Sequence, residues 1–349
     1  GPLRETQGMD VLVCATQVPF HKGGLELHVD NLVAALDAAG HRAEAVAVPA
    51  AWDQERVLDA ALAWRLLPLD ADLVIPLNFP SYFARHPNKV VWLAHQHRAA
   101  YDGLEQPWSD FGLDDASMEV HRTLVEWDTR ALGEATRRYA TSGVVAGRLR
   151  RFNGLEATPL AHPPPLADLL HARPAGRPGQ HILCPTRLEA NKRPALFVAA
   201  MAAARSKLPG ILAGRGTLSG ELAAMVVDRD LAGRVSLPGF VSDADLVDLF
   251  ADAAAVVYAP FDEDYGYVTL QAFLAGVPVI TTDDAGGVLE WVEHEVTGLV
   301  TDGTPEAMGA AIDRLVDDPE LAGRLGAAGR KAVSGLSWEH VVSTLVGPG

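Results

Sequence analysis

The sequence predicts an α/β protein of two doubly wound domains, each a parallel sheet covered by helices and facing the other across a cleft. Three observations predict it. Short β-rich runs alternate with helical patterns along the whole chain. The runs are nearly continuous in apolar residues rather than alternating, the pattern of strands buried on both faces. Between the two halves lies HPPPLADLLHARPAGRPGQ, whose Pro and Gly content fits a connection better than a core element.

In the first half the strand-like runs are VLVCA, RAEAVAV, DLVIPL, VVWLA, RYATS and ATPLA. The interval after the first carries Leu25, Val29, Leu32, Val33 and Leu36, spaced as one face of a helix. The second half supplies HILCPT, GILAG, RVSLPG, AAAVVYAP, PVITT and GLVTD. The boundaries expected are 9–163 for the first domain, 164–180 for the linker and 181–335 for the second domain, with 336–349 as a separate C-terminal segment. Residues 1–8, ahead of Met9, are expected to be an extraneous leader and are set aside.

A chain of 349 residues is longer than one usual domain. Its 48% hydrophobic and 21% charged residues fit a globular protein. The longest apolar runs, such as VVWLA, are too short to cross a bilayer. A formal charge of −16 argues against general binding to nucleic acid or anionic membranes, so an anionic ligand needs locally gathered donors. Cys14 and Cys184 sit in apolar runs of different halves, which fits buried thiols in a reducing, cytoplasmic setting.

Loops just after strands are where doubly wound sheets bind ligands. After the first strand, Lys22, Gly23 and Gly24 precede a helix, where free N–H groups and the helix dipole favour an anion; a plain tight turn explains the pair equally well. After the fourth come His95, Gln96, His97 and Arg98, with the two imidazoles on one side of an extended segment. That spacing also suits a metal, but no further ligands accompany it, so no metal is expected. In CPTRLEANKRP, Arg187 and Lys192 offer a forked guanidinium and a point charge, the combination a diphosphate needs; the alternative is a solvated surface turn. Gly214 and Gly216 make a G-x-G without the rest of a dinucleotide fingerprint.

In YAPFDEDYGYVTLQAFLAGVPVI a buried strand leads into an acidic loop and a short helix, with Gly276 as its C-terminal cap. Backbone donors are expected at Gly266, Tyr267 and Val268. Glu263 stands just outside the helix, placed to accept hydrogen bonds from hydroxyl groups, and Gln271 lies one turn inside. Acids complementing a helix dipole would explain the carboxylates, but not the aromatic residue, the Gly and the buried Gln together.

In this order, GGLELHVDNLVAALDAAGH, TRLEANKRP, RVSLPGFVSDADLVDLFADA, DEDYGYVTLQAFLAGVPVI and GGVLEWVEHEVTGLV resemble glycosyltransferase family 4, the retaining, nucleotide-sugar-dependent enzymes of GT-B architecture. The resemblance spans almost the whole chain. It implies two Rossmann-like domains, the first on the acceptor side and the second holding the donor, with 336–349 returning to the first. Arg187 and Lys192 would bind the donor diphosphate, and Gly23 and Gly24 would face it from the other domain. Gly239, Phe240 and Val241 would border the nucleobase, and Glu263 the sugar hydroxyls. Backbone near Gly266, Tyr267 and Val268 would approach the sugar and phosphate. His95 would lie near the donor sugar, with His21, Lys22, Gln96, His97 and Arg98 on the acceptor side.

Where the family places a second Glu on the ribose, this chain has Gln271. An amide offers one acceptor and one donor, so donor binding is expected to weaken by about 1 kcal/mol or somewhat more, and Gln271→Glu to tighten it. The function so implied is retaining transfer of a sugar from a nucleoside-diphosphate sugar to a small molecule or glycan, without metal or cofactor, in the cytoplasm. Two rivals remain: a catalytically idle nucleotide-sugar binder or partner subunit, and a nucleotide-sugar epimerase of the same architecture.

Overall fold

The computed structural model describes residues 8–17, 23–104, 106–107, 109–172 and 179–347. The chain divides into two compact units, one running to His162 and resuming at Ser337, the other Pro163–Leu336.

The first unit contains β1 (Asp10–Gln17), α1 (Gly24–Ala38), β2 (Arg42–Pro49), α2 (Val57–Arg65), β3 (Leu73–Pro76), β4 (Val90–Leu93), α3 (Asp115–Gly133), β5 (Arg137–Ala140), α4 (Gly143–Asn153) and β6 (Thr158–Pro159). Its strands pair in parallel in the orders β2-β1-β3 and β4-β5-β6. Isolated parallel bridges, Val74 with Lys89 and Asn78 with His95, join β3 to β4. Both faces are covered. On one, Val13, Leu32, Leu36, Ile75 and Trp92 pack with Val341, Val342 and Leu345 of the last helix, Trp338–Val346. On the other, Trp64, Phe79, Tyr82, Leu124 and Leu149 form the core. Arg137 donates to the carbonyls of Thr344 and Leu345 at 3.0 and 2.9 Å, satisfying acceptors that the end of that last helix leaves open.

The second unit follows with α5 (Ala167–His171), β7 (His181–Pro185), α6 (Pro194–Ala203), β8 (Gly210–Ala213), α7 (Ser219–Asp228), β9 (Val235–Gly239), α8 (Asp243–Ala251), β10 (Ala253–Val257), α9 (Tyr267–Leu274), β11 (Val279–Thr282), β12 (Gly298–Thr301), α10 (Pro305–Asp317) and α11 (Pro319–Val333). All six strands are parallel, in the order β12-β11-β10-β7-β8-β9. Every strand-like run of the sequence overlaps one of the twelve strands found among the described residues. Part of the expected linker is an element of this unit, because α5 packs against α8 and α9. Residues 173–178 of that connection lie outside the described residues.

The strand order positions the site. From β7 the chain moves outward through β8 and β9, then crosses back to β10 on the other side of β7. Loops leaving β7 and β10 therefore diverge to opposite sides and leave a crevice at the carboxyl ends of the strands. The first sheet has the same switch between β1 and β3.

Candidate functional site

The loop after β10 is held by backbone bonds from its neighbours. Phe261 N–H donates to Asn191 O at 2.9 Å, Asp262 N–H to Asp284 O at 2.9 Å and Glu263 N–H to Ala285 O at 3.1 Å, while Glu263 O accepts from Gly287 N–H at 2.7 Å. Two glycines permit this approach. Gly286 has φ 62° and ψ −125°, and a Cβ there would lie 2.6 Å from Glu263 N. A Cβ on Gly287 would lie 2.6 Å from Asp264 O. Arg193 adds a side-chain tie, donating to Ala259 O and Pro260 O, both at 2.9 Å, to Thr282 Oγ1 at 2.8 Å and to the carboxylate of Asp284.

Glu263 is thereby buried with defined partners. Its Oε2 accepts from the Tyr258 hydroxyl at 2.7 Å and from the Lys192 ammonium, and its Oε1 accepts from Asp264 N–H at 3.2 Å. Burial pushes the carboxyl up, as does Asp264. The charge of Lys192, with hydrogen bonds from Lys192 and Tyr258, outweighs both and holds it below the usual carboxylate range. At neutral pH Glu263 is a charged group that only accepts, suited to hydroxyl donors.

Arg187 is exposed and makes no side-chain hydrogen bond or ion pair with any described residue. Its backbone, in contrast, is fixed. Thr186 N–H donates to Ala213 O at 2.9 Å and Leu188 N–H to Arg215 O at 3.0 Å. A Cβ on Gly214 would fall 1.8 Å from Thr186 O, and one on Gly216 2.3 Å from Leu188 O. The G-x-G of this loop is thus explained by close packing against the arginine loop. Gly214 N–H in turn donates to Gly239 O at 2.9 Å. Gly239 has φ 75°; beyond it Phe240 is exposed, with the Arg215 guanidinium 5.8 Å from its ring centre, and Val241 is half-buried.

Gly266, with φ 79°, precedes α9; a Cβ there would lie 3.2 Å from Val288 and 3.3 Å from Tyr258. Tyr267 and Val268 form the first turn, at the positive end of the helix dipole. The helix closes as the sequence predicts, with Gly276 at φ 75° and Val277 N–H donating to Ala272 O at 2.9 Å. Gln271 is buried on this helix, and its Nε2 donates to Pro165 O at 3.1 Å. A carbonyl can only accept, so this contact fixes which way the amide points. Half of the Gln271 amide is therefore committed to the chain entering α5, a partner far away in sequence.

In the first unit several expectations change. Gly23 is extended, with φ −129°, and its N–H is taken by Glu26 Oε2 at 2.8 Å, so it is not free for an anion. Gly24 opens α1. His21 and Lys22 lie outside the described residues. His95 is half-buried, its Nδ1 3.1 Å from Gln96 O. His97 does not share its exposure: its ring stacks on Trp52 at 5.7 Å and packs against Phe79 and Phe111 at 5.4 and 5.8 Å. Burial lowers its pKa to about 4 against the charge of Asp110, so it is neutral at pH 7. Gln96 donates to Asn153 Oδ1 at 2.6 Å, and Arg98 gives two bonds to Asp102, at 2.8 and 2.6 Å. The strand alternation assumed for this stretch does not extend this far, since β4 ends at Leu93 and a 3-10 turn forms over Arg98–Ala100.

Sequence reasoning did not single out Tyr258, Arg193 or the Gly286–Gly287 pair. The signals were present: a hydroxylated aromatic ending an otherwise aliphatic strand, and a double glycine immediately after another strand's exit. Among the described residues no group of His, Cys, Asp and Glu is arranged to hold a metal, and no helix is long and apolar enough to cross a membrane.

Residues 176–332 match the family model described as glycosyl transferases group 1. The chain is 34% identical over 113 residues to the alpha-1,3/1,6-mannosyltransferase of Homo sapiens, which covers 32% of this chain and 27% of that protein. It is 27% identical over 377 residues to the GDP-mannose-dependent alpha-(1-6)-phosphatidylinositol monomannoside mannosyltransferase of Mycobacterium tuberculosis, covering 96% of each. Among solved structures, the sucrose-phosphate synthase of Thermosynechococcus elongatus superposes with a TM-score of 0.72 at 20% identity, over 96% of each chain.

Proposed function

We propose that the chain, which has the GT-B fold and matches the glycosyl transferases group 1 model over residues 176–332, is a family 4 type glycosyltransferase that carries out a retaining, metal-independent transfer from a nucleoside-diphosphate sugar to a small-molecule or glycan acceptor. The observation that carries this reading is the pairing, at the switch point of the second sheet, of an unengaged Arg187 with the Lys192–Glu263–Tyr258 cluster. The dependence of the mycobacterial relative on GDP-mannose supports a nucleoside-diphosphate donor.

In this reaction the bond from the anomeric carbon to the diphosphate oxygen breaks, and negative charge grows on the leaving phosphate. Arg187 can take two phosphate oxygens through its fork, and Lys192 adds a point charge, so no metal is required to neutralise the leaving group. Glu263 accepts hydrogen bonds from the sugar hydroxyls. Its charge also favours the oxocarbenium-like state without forming a bond to it. The acceptor hydroxyl attacks from the face the phosphate leaves, and its proton passes to a phosphate oxygen. His95 is assigned a hydrogen bond to the sugar; Gly239 to Val241 are assigned to the base, and Gly266 to Val268 to the sugar and phosphate. With its amide engaged on Pro165, Gln271 retains one carbonyl oxygen for a ribose hydroxyl. A cytoplasmic site of action is part of the same proposal.

The test is donor turnover by the purified protein, with Arg187→Ala alongside it. Loss of one charge-assisted phosphate grip of about 2–4 kcal/mol predicts a fall in kcat/KM on the order of 30- to 1,000-fold. Tight nucleotide binding with no turnover of any donor would instead establish the idle binder. An epimerised sugar formed without acceptor would establish the epimerase.

A further inference from the structure

The loop leaving β9 presents an aromatic ring to solvent beside a guanidinium. Of the exposed large apolar side chains among the described residues, Phe240, 69% exposed, is the one that is aromatic. It follows Gly239 at the carboxyl end of its strand, the end where doubly wound sheets bind ligands. The Arg215 guanidinium carbon lies 5.8 Å from the ring centre, near the outer limit of a cation–π contact. Arg215 is itself exposed and makes no side-chain hydrogen bond or ion pair with any described residue. A Cβ on Gly239 would lie 3.6 Å from Arg215 Nε, so the arginine side chain runs across the end of β9 to reach the ring.

The backbone under these two side chains is fixed, as it is under Arg187. Arg215 O accepts from Leu188 N–H at 3.0 Å, and Gly214 N–H donates to Gly239 O at 2.9 Å. Thr217 is tied to the Glu189 carboxylate through its N–H at 3.1 Å and its hydroxyl at 2.6 Å. The exits of β7, β8 and β9 thus form one connected edge, carrying Arg187, Arg215 and Phe240 in that order. Adjacent strands lie about 4.8 Å apart, so the first and last of these exits are separated by roughly 10 Å. In a nucleotide the ribose separates the phosphates from the base by a comparable length. With the diphosphate at Arg187, the base falls at Arg215 and Phe240. We infer that the base stacks on Phe240, that Arg215 is the specificity-determining residue that reads its edge, and that the base is guanine. The inference rests on the transfer reading for the presence of a nucleoside diphosphate; the choice of base rests on the chemistry of the fork.

A guanidinium has only donors, set in a planar fork that matches two adjacent acceptors. Guanine offers that pair, O6 and N7, on an edge that faces away from the ribose. Adenine replaces O6 by an amino donor, which the fork repels. Uracil has no two adjacent acceptors, because its oxygens flank an N–H. In cytosine the adjacent pair is a ring nitrogen and the oxygen beside the bond to the ribose, where the sugar crowds the fork. Stacking on Phe240 strengthens binding of any base, since every base has a π-face, and a purine covers more of the ring than a pyrimidine. When a base takes that face, the guanidinium moves off the ring to the base edge.

The test is calorimetric titration of the full-length protein with GDP, UDP, ADP, CDP, inosine diphosphate and 7-deaza-GDP. The wild type should bind GDP on the order of ten- to a hundredfold tighter than ADP or UDP, the scale of one bidentate contact. Inosine diphosphate keeps both acceptors and should bind close to GDP, whereas 7-deaza-GDP lacks one and should bind on the order of tenfold more weakly. Arg215→Lys keeps the charge and loses the fork, so it should remove the preference for GDP while UDP binds as before. Phe240→Ala should weaken every nucleotide on the order of tenfold. Both side chains are exposed, so neither change touches the core. Preference for uracil, adenine or cytosine, or a GDP preference that survives Arg215→Lys, would overturn the inference and leave the transfer reading standing. Equal losses for GDP and UDP in Arg215→Lys would show a contact without base selection and overturn it likewise. Binding of no nucleoside diphosphate by the wild type would remove the transfer reading, and the base assignment with it.

Discussion

Placing a carboxylate at position 271 brings two demands into conflict. The sequence expectation is that Gln271→Glu restores a ribose acceptor and tightens donor binding. The fold adds that the Gln271 amide donates to Pro165 O at 3.1 Å inside a buried helix face. A glutamate has no N–H there, and its oxygen would face another oxygen. Losing the bond and leaving a buried acceptor without a partner costs about 1–3 kcal/mol. A charge in the same place costs more, so the new carboxyl should take a pKa above the ordinary value. The sign follows: below that raised pKa the protonated acid can donate to Pro165 O and the deficit is small, and it grows as pH rises through it. For a domain of roughly 150–250 residues, 2 kcal/mol lowers Tm by about 4–8 °C. Ligand-free calorimetry at pH 5 and pH 8 should therefore show the variant near wild type in acid and clearly lower in base. Equal melting at both pH values, accompanied by tighter nucleotide binding, would refute this reasoning and return position 271 to the ribose alone.

Tyr258→Phe removes the hydroxyl that donates to Glu263 while keeping the ring that packs beside Gly266. Glu263 sits below its ordinary pKa, so its contribution is present above that value and lost as pH falls. The variant should lose about 1–2 kcal/mol at pH 7, less in acid, and move the acid limb of its turnover profile to higher pH; an unmoved limb would show that Tyr258 does not set the state of Glu263. Gly286→Ala puts a Cβ 2.6 Å from Glu263 N in a backbone region, φ 62° and ψ −125°, that is essentially reserved for glycine. It should destabilise the protein by about 1–3 kcal/mol and depress donor binding, read by thermal melts with and without nucleotide; a normal response to nucleotide would separate this loop from the donor site.

The strands were legible because each is a short apolar run between turn signals, and burial on both sheet faces removes the ambiguity of alternation. The helix Tyr267–Leu274 and its glycine cap were legible for a similarly local reason. The loop carrying His95 was read less well. Gln96, His97 and Arg98 look like substrate-facing polar residues in one dimension, but Asn153, an aromatic cluster and Asp102 claim them in three. Gly23 was offered as an anion site, yet its N–H is already capped by Glu26, three residues on.

The sequence by itself determined the alternation of strands and helices, the two sheets, and the placing of Arg187, Lys192 and Glu263 just after strands, because these follow from patterns a few residues long. Only the tertiary structure decided what each side chain is free to do. Lys192 meets Glu263 because β7 and β10 are neighbours in a sheet whose order departs from chain order. Gln271 reaches Pro165, and Gln96 reaches Asn153, across sequence separations that no local pattern encodes. Hydrogen-bond capacity is finite, so a polar residue's availability to a ligand is fixed by whichever partner the fold has already supplied.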